Sequence, residues 1–129
     1  MNTSLSAGIV IADVLQADDA VKAITSTVVP VFSPVESLQL PYIVYRRLKM
    51  NVRSVAQSVR GAESVEIEVA CYAASYSDSV KLAEAVRAAL DHRQAGAEGL
   101  HMRCCTLVDS SEDYYDDAYM QTLVFDVKV

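Results

Sequence analysis

ESVEIEVACYA, residues 63–73, alternates strictly: Val65, Ile67, Val69 and Cys71 fall on one side of an extended chain, Glu66, Glu68 and Tyr72 on the other. Strand side chains alternate with a period of two, so this stretch predicts a β-strand with one face for a core and one for water or a partner. Immediately downstream the period changes. Leu82, Val86, Ala89 and Leu90 recur at helical spacing opposite Lys81, Glu84, Arg87 and Asp91. Ser77 is the expected cap, and Asp78 suits the positive N-terminal end of that helix. A half-apolar strand leading into a half-apolar helix sets a two-layer plan.

Working outward, Leu123, Phe125, Val127 and Val129 alternate with Thr122, Val124, Asp126 and Lys128, which predicts a last strand, and Met102–Val108 predicts another before it. Tyr42–Lys49 is rich in aromatic and branched residues and reads as a strand, with Ile43, Tyr45 and Arg47 on one side and Tyr42, Val44, Arg46 and Leu48 on the other. Upstream, Ala7, Val10, Ile11, Val14 and Leu15 share a helix face behind Ser4 or Ser6 as cap. Asp18 or Asp19 can cap a further turn holding Val21 and Ile24. The β-branched run Thr25–Val31 favours extended chain, and Pro30, Pro34 and Pro41 bracket a short strand and a surface connection. Met50–Ala62 lacks a strong period and reads as a long exposed hairpin arm.

The expected fold is α+β: one domain over 1–129, a single, mostly antiparallel sheet, two helices packed on one face, and a long β-hairpin arm. The inward set Val65, Ile67, Val69, Leu82, Val86, Leu90, Leu123, Phe125 and Val127 contributes about 1.5–3 kcal/mol per large side chain before conformational entropy is subtracted.

Composition narrows the function classes. With 52% hydrophobic and 22% charged residues the chain is built to fold. No apolar run reaches the ~20 residues that span a bilayer, because Asp13 interrupts even Ala7–Leu15. No Lys or Arg precedes Lys22, so no secretory signal is expected and the protein is expected in the cytoplasm. Cys71, Cys104 and Cys105 are an odd set, and the adjacent pair points to opposite faces of one strand, which argues against a disulfide framework. A net charge of −6 argues against wrapping nucleic acid. His92 and His101 lack partners at zinc-ligand spacing, and the four glycines form no phosphate loop. The acids Asp109, Glu112, Asp113, Asp116 and Asp117 lack the glycine and spacing of a calcium loop and read as a solvated turn. No catalytic, cofactor-binding or metal-binding residue is expected.

Charge is unevenly placed. Arg46, Arg47, Lys49, Arg53 and Arg60 crowd the first hairpin, whereas Asp113, Asp116 and Asp117 belong to the acidic stretch of the last. If the two hairpins project at opposite sides, a basic arm meets the acidic turn of a neighbouring copy, a head-to-tail contact that closes into a ring. Two independent solvated loops are the alternative.

Three segments carry a resemblance: LPYIVYRRL at 40–48, VEIEVACYA at 65–73 leading through Tyr76 and Ser77 into the helix, and DYYDDAYMQTLVFDV at 113–127. In this order they resemble the phage tail completion proteins, related in fold and role to the lambda-type tail terminators and the tail-to-head joining proteins of long-tailed phages. Many members have arginines after the aromatic of the last strand; here Met120 and Gln121 follow Tyr119. The resemblance implies a non-enzymatic, hexameric ring on the head-proximal end of the tail tube, ending its polymerisation. It also implies contact with the tail tube protein and the head-tail connector protein, assembly in the host cytoplasm and a final place in the virion tail. DNA would pass through without specific binding, with Glu66 and Glu68, or the acids near Asp116, facing the channel. Another neck or minor tail component, or a small α+β enzyme or ligand-binding domain, are the competing readings.

Overall fold

The computed structural model describes residues 4–31, 38–51, 63–97 and 100–129. The strictly alternating segment forms the middle strand, β3 (Ser64–Ala73), of a five-stranded sheet ordered β1-β2-β3-β7-β6, with β1 Val28–Pro30, β2 Tyr42–Asn51, β6 Cys104–Tyr115 and β7 Ala118–Lys128. β3 is antiparallel to both neighbours, and its register places Val65 opposite Val127, Ile67 opposite Phe125 and Val69 opposite Leu123. All nine residues of the expected inward set are buried.

As expected, two helices lie on that apolar face, α1 (Ala7–Ala17) and α3 (Tyr76–Leu90), and the further turn α2 (Asp19–Lys22) packs against both of them. Val10, Ile11, Val14 and Leu15 of α1 and Leu82, Val86, Ala89 and Leu90 of α3 join the strand residues in one core. Asp18 caps α2, accepting a hydrogen bond from the Val21 amide at 3.1 Å. Ser6 precedes α1 without a side-chain cap bond. The cap of α3 is Ser75, not Ser77: Ser75 takes extended backbone and accepts from the Asp78 amide at 3.2 Å, so Ser77 lies inside the first turn. α3 ends at Asp91, whose backbone is already extended (ψ 126°), and His92 follows in the left-handed region (φ 65°).

The sheet is mostly antiparallel, as expected; the parallel pair is β1 with β2. The two strand starts are drawn together by Thr25, whose hydroxyl donates to the Pro41 carbonyl at 2.8 Å, and by the Ile43 amide donating to Thr27. The strand expected over Met102–Val108 is divided. β5 (Leu100–Met102) pairs with β4 (Ala95–Ala97) in a small hairpin beside α1, and β6 begins at Cys104. The segment read as a solvated acidic turn is also strand. β6 carries Asp109, Glu112 and Asp113, and only Asp116 and Asp117 form the turn, at φ 53° and 60°. That is the left-handed pair a two-residue hairpin demands, and aspartate tolerates it better than most side chains. The segment read as the arm falls largely at 52–62, outside the described residues; β2 itself extends to Asn51.

Both strands flanking the central pair carry a bulge, with Leu48 the extra residue in β2 and Val108 in β6. The first resets the alternation: Met50 turns to the core side opposite Val65, and Lys49 turns outward opposite Glu66. Leu48 and Val108 are themselves 41% and 54% exposed. The second bulge is anchored, since Asp91 after α3 accepts from the Leu107 amide at 3.0 Å.

The cap assignment is checked by paired substitutions: Ser75→Ala should lower unfolding free energy by about 1 kcal/mol and Ser77→Ala by less than about 0.5 kcal/mol, read from urea titrations.

Candidate functional site

The sheet face away from the helices is left open, and its composition changes along the strands. At the end where β2 stops and β3 starts it is charged. Arg46 pairs with Glu68 at 2.6 Å, Lys49 with Glu66 at 3.4 Å and Lys128 with Asp126 at 3.1 Å, all partly or fully exposed. Such pairs contribute about 0–1 kcal/mol each, so they matter more as a neutralised surface than as glue.

Toward the other end the same face becomes apolar. Register aligns Val44, Ala70, Thr122 and Ser111 in one row and Tyr42, Tyr72, Met120 and Asp113 in the next. The rings of Tyr42 and Tyr72 stack with centroids 4.8 Å apart. These rows floor an open groove of about 410 Å³, bounded by Val31 on one side, by Tyr115 and Asp116 at the turn, and by the Arg46–Glu68 pair at the charged end. Burial raises the Tyr42 phenol above its ordinary pKa, and the nearby Asp116 carboxylate raises it further. Burial likewise raises Tyr72, with smaller contributions from Tyr42 and Glu68. The groove therefore presents neutral phenols beside an acidic rim.

The residues singled out from sequence distribute as follows. Arg46 and Lys49 lie on this face, committed to Glu68 and Glu66; the two glutamates assigned to a channel are thus already paired within the subunit. Arg47 points to the helix side, where it donates to the Leu5 carbonyl at 3.2 Å. Arg53 and Arg60 lie outside the described residues. Asp113 sits on β6 in the Tyr42 row, Asp116 on the turn at the groove, and Asp117 accepts from the Tyr114 hydroxyl at 3.2 Å. Among the described residues no cation pairs with Asp113 or Asp116. Asn51 and Glu63, which flank 52–62, lie at the Ser64–Lys128 end of the sheet, and the acidic turn closes the opposite end, next to the Ala73–Tyr119 pair.

Sequence reasoning missed the groove. Its signal was present in the outward positions of β2, β3 and β7, where Tyr42, Val44, Ala70, Tyr72, Ala118 and Met120 replace the polar residues that a water-facing strand carries.

On the helix side the β6–β7 hairpin is tied to α3 by polar contacts. Glu112 accepts from the Tyr76 hydroxyl at 2.9 Å and from Gln121 at 3.1 Å, and Gln121 also reaches Ser79 at 3.3 Å. The hydrogen bond to Glu112 raises the Tyr76 pKa, as the bond to Asp117 raises that of Tyr114. Along the outer edge of β6, Asp109 accepts from the Ser110 amide and Asp113 from the Tyr114 amide, both at 2.8 Å.

Among the described residues no cluster of three or more His, Cys, Asp or Glu side chains could hold a metal ion, and no buried side-chain polar atom lacks a partner. No helix among them is long and apolar enough to cross a membrane.

The family model described as "Tail completion protein gp17" matches residues 10–129, nearly the whole chain. The chain belongs to that family. It is a structural protein of the phage tail, of a family that builds virions rather than catalyses reactions, and it assembles with other virion proteins. A solved structure described as the virion of a native gene transfer agent particle contains a chain of similar fold, 17% identical, with a TM-score of 0.72 and 98% of each chain covered. No curated protein sequence matches the chain. The order of segments that carried the resemblance is thus the order of β2, of β3 with α3, and of the β6–β7 hairpin in a tail completion protein.

The three cysteines provide a check on the fold of this tail protein. Burial pushes the Cys71 and Cys105 thiols up to about 12 from 9.0, Asp91 adding to the effect at Cys105. Cys104 is partly exposed. At pH 8 a thiol reagent should label Cys104 alone, and all three after denaturation. Thiols that ionise near pH 9 only when unfolded favour unfolding in alkali, so their contribution to stability is complete below pH 9 and falls as pH rises toward 12.

Proposed function

We propose that the chain, folded as one unit over 1–129, is a ring-forming subunit that caps the tail tube, ends its polymerisation and joins it to the head connector. Six copies close the ring in this reading, assembled in the host cytoplasm and carried in the virion tail. The observation that carries it is the polarity of the sheet: a segment holding Arg53 and Arg60 leaves one end, and the unpaired acids Asp113 and Asp116 stand at the other. Complementary charges at opposite ends of one subunit give a head-to-tail contact, and head-to-tail contacts that close make rings.

DNA threads the ring without being held. The channel-facing residues in this reading, Glu66 and Glu68, are matched by Lys49 and Arg46, so this part of the face is nearly neutral while the subunit as a whole carries −6. Such a wall lacks the surplus of Lys and Arg with which proteins grip phosphate.

The arrangement is tested with two charge-altered chains. One carries Arg53→Glu with Arg60→Glu. The other carries Asp113→Lys with Asp116→Asn, since asparagine accepts the left-handed backbone at 116. Each alone should sediment as monomer with its unfolding midpoint unchanged, because like charges then meet at every contact. Mixed in equal amounts they should restore the ring, since an even-membered ring alternates the two and opposes unlike charges throughout. Parent-like rings from either chain alone would remove the proposal.

A further inference from the structure

We propose that the groove on the open face of the sheet is the receptor for residues 52–62 of a neighbouring copy. The inference rests on the ring reading above and gives its subunit contact an address. The occupant is named by its chemistry. The segment VRSVAQSVRGA carries Val52, Val55 and Val59, two arginines and no acid. The groove offers the matching features, an apolar floor of Val44, Ala70 and Met120 with Asp116 at its rim, and Asp113 stands next to Met120 on the adjoining strand. That rim disfavours a phosphate backbone as the occupant.

Chain length decides whose segment fits. From the end where the segment leaves, the row containing Asp113 lies eight residues along β3, from Ser64 to Tyr72. At ~3.3 Å per strand residue that is about 26 Å. Arg53 is two residues from Asn51 and Arg60 three from Glu63, which limits their backbones to about 7 and 11 Å from the sheet end. Even with the reach of a side chain added, neither arginine meets the acids of its own subunit. A second copy placed head to tail has no such limit. Contact between identical chains through two different surfaces, one at each end, is the heterologous kind that a closed ring requires.

The groove also supplies what a charge contact lacks. Arginine and aspartate exposed at a rim steer encounter and are screened by salt, whereas apolar side chains seated on a floor give persistence. Valines of the segment on Val44 and Met120 would bury surface that the subunit alone leaves partly open.

The test uses the full chain with Cys104→Ser, so that exposed thiols are those introduced. Copies carrying Val44→Cys are mixed with copies carrying Val55→Cys and oxidised. The expected product is a covalent dimer of one of each, formed by neither variant alone. In the otherwise parental chain Met120→Glu, at a partly exposed floor position, should raise the concentration needed for half-assembly at least ~10-fold with an unchanged unfolding midpoint. Rings that form without the cross-link and tolerate Met120→Glu overturn the groove and leave the ring intact. A chain that stays monomeric at every concentration overturns both. Position 44 cross-linking in assembled tails to a different virion protein also overturns the proposal.

Discussion

The pairing of β3 with β7 is the constraint from which the rest of the structure follows. Val65, Ile67 and Val69 stand opposite Val127, Phe125 and Leu123 on one face, so six buried apolar side chains lie side by side. Such a surface has to be covered, and the amphipathic stripes of α1 and α3 are what the chain has to cover it. Register is fixed by the same residues, because a slip of one position would turn the whole apolar set outward. Everything at the edges, from the parallel β1 to the long β6, is arranged around a centre that allows no other alignment.

Strong alternation made that centre legible from sequence, and the stripe from Leu82 to Leu90 made its cover legible. What stayed hidden was set by tertiary pairing instead of local pattern. Asp109–Tyr115 is rich in residues that disfavour strands, yet it is strand because β7 offers it a ladder. Leu48 and Val108 continue the hydrophobic pattern of their strands, so nothing local marks them as extra residues. β1 is three residues long, too short to show a period, and Ser75 and Ser77 are equally good caps on paper.

The candidate site was legible in one of its two aspects. Uneven charge was visible along the chain, and the fold places Asn51 and Glu63, which flank the arginine-bearing segment, at the end of the sheet opposite the acids. Which charges are already satisfied was not visible, since Arg46 with Glu68 and Lys49 with Glu66 become neighbours only through strand register. The groove shares that origin: Val44, Ala70 and Met120 are far apart in sequence and adjacent only once three strands align. The two bulges add to it, since an extra residue on each side of the central pair increases twist and bends the outer strands.

The outer edge of β6 bears on a hazard that every sheet with an open edge carries. An uncovered strand is a template, and its free amides invite another chain to extend the sheet without limit. Here two of those amides, at Ser110 and Tyr114, are already occupied by the carboxylates of the residues before them. The strand thus brings its own stoppers, each adding negative charge where an incoming backbone would settle. That edge is thus a poor template for a ladder that grows into a fibre.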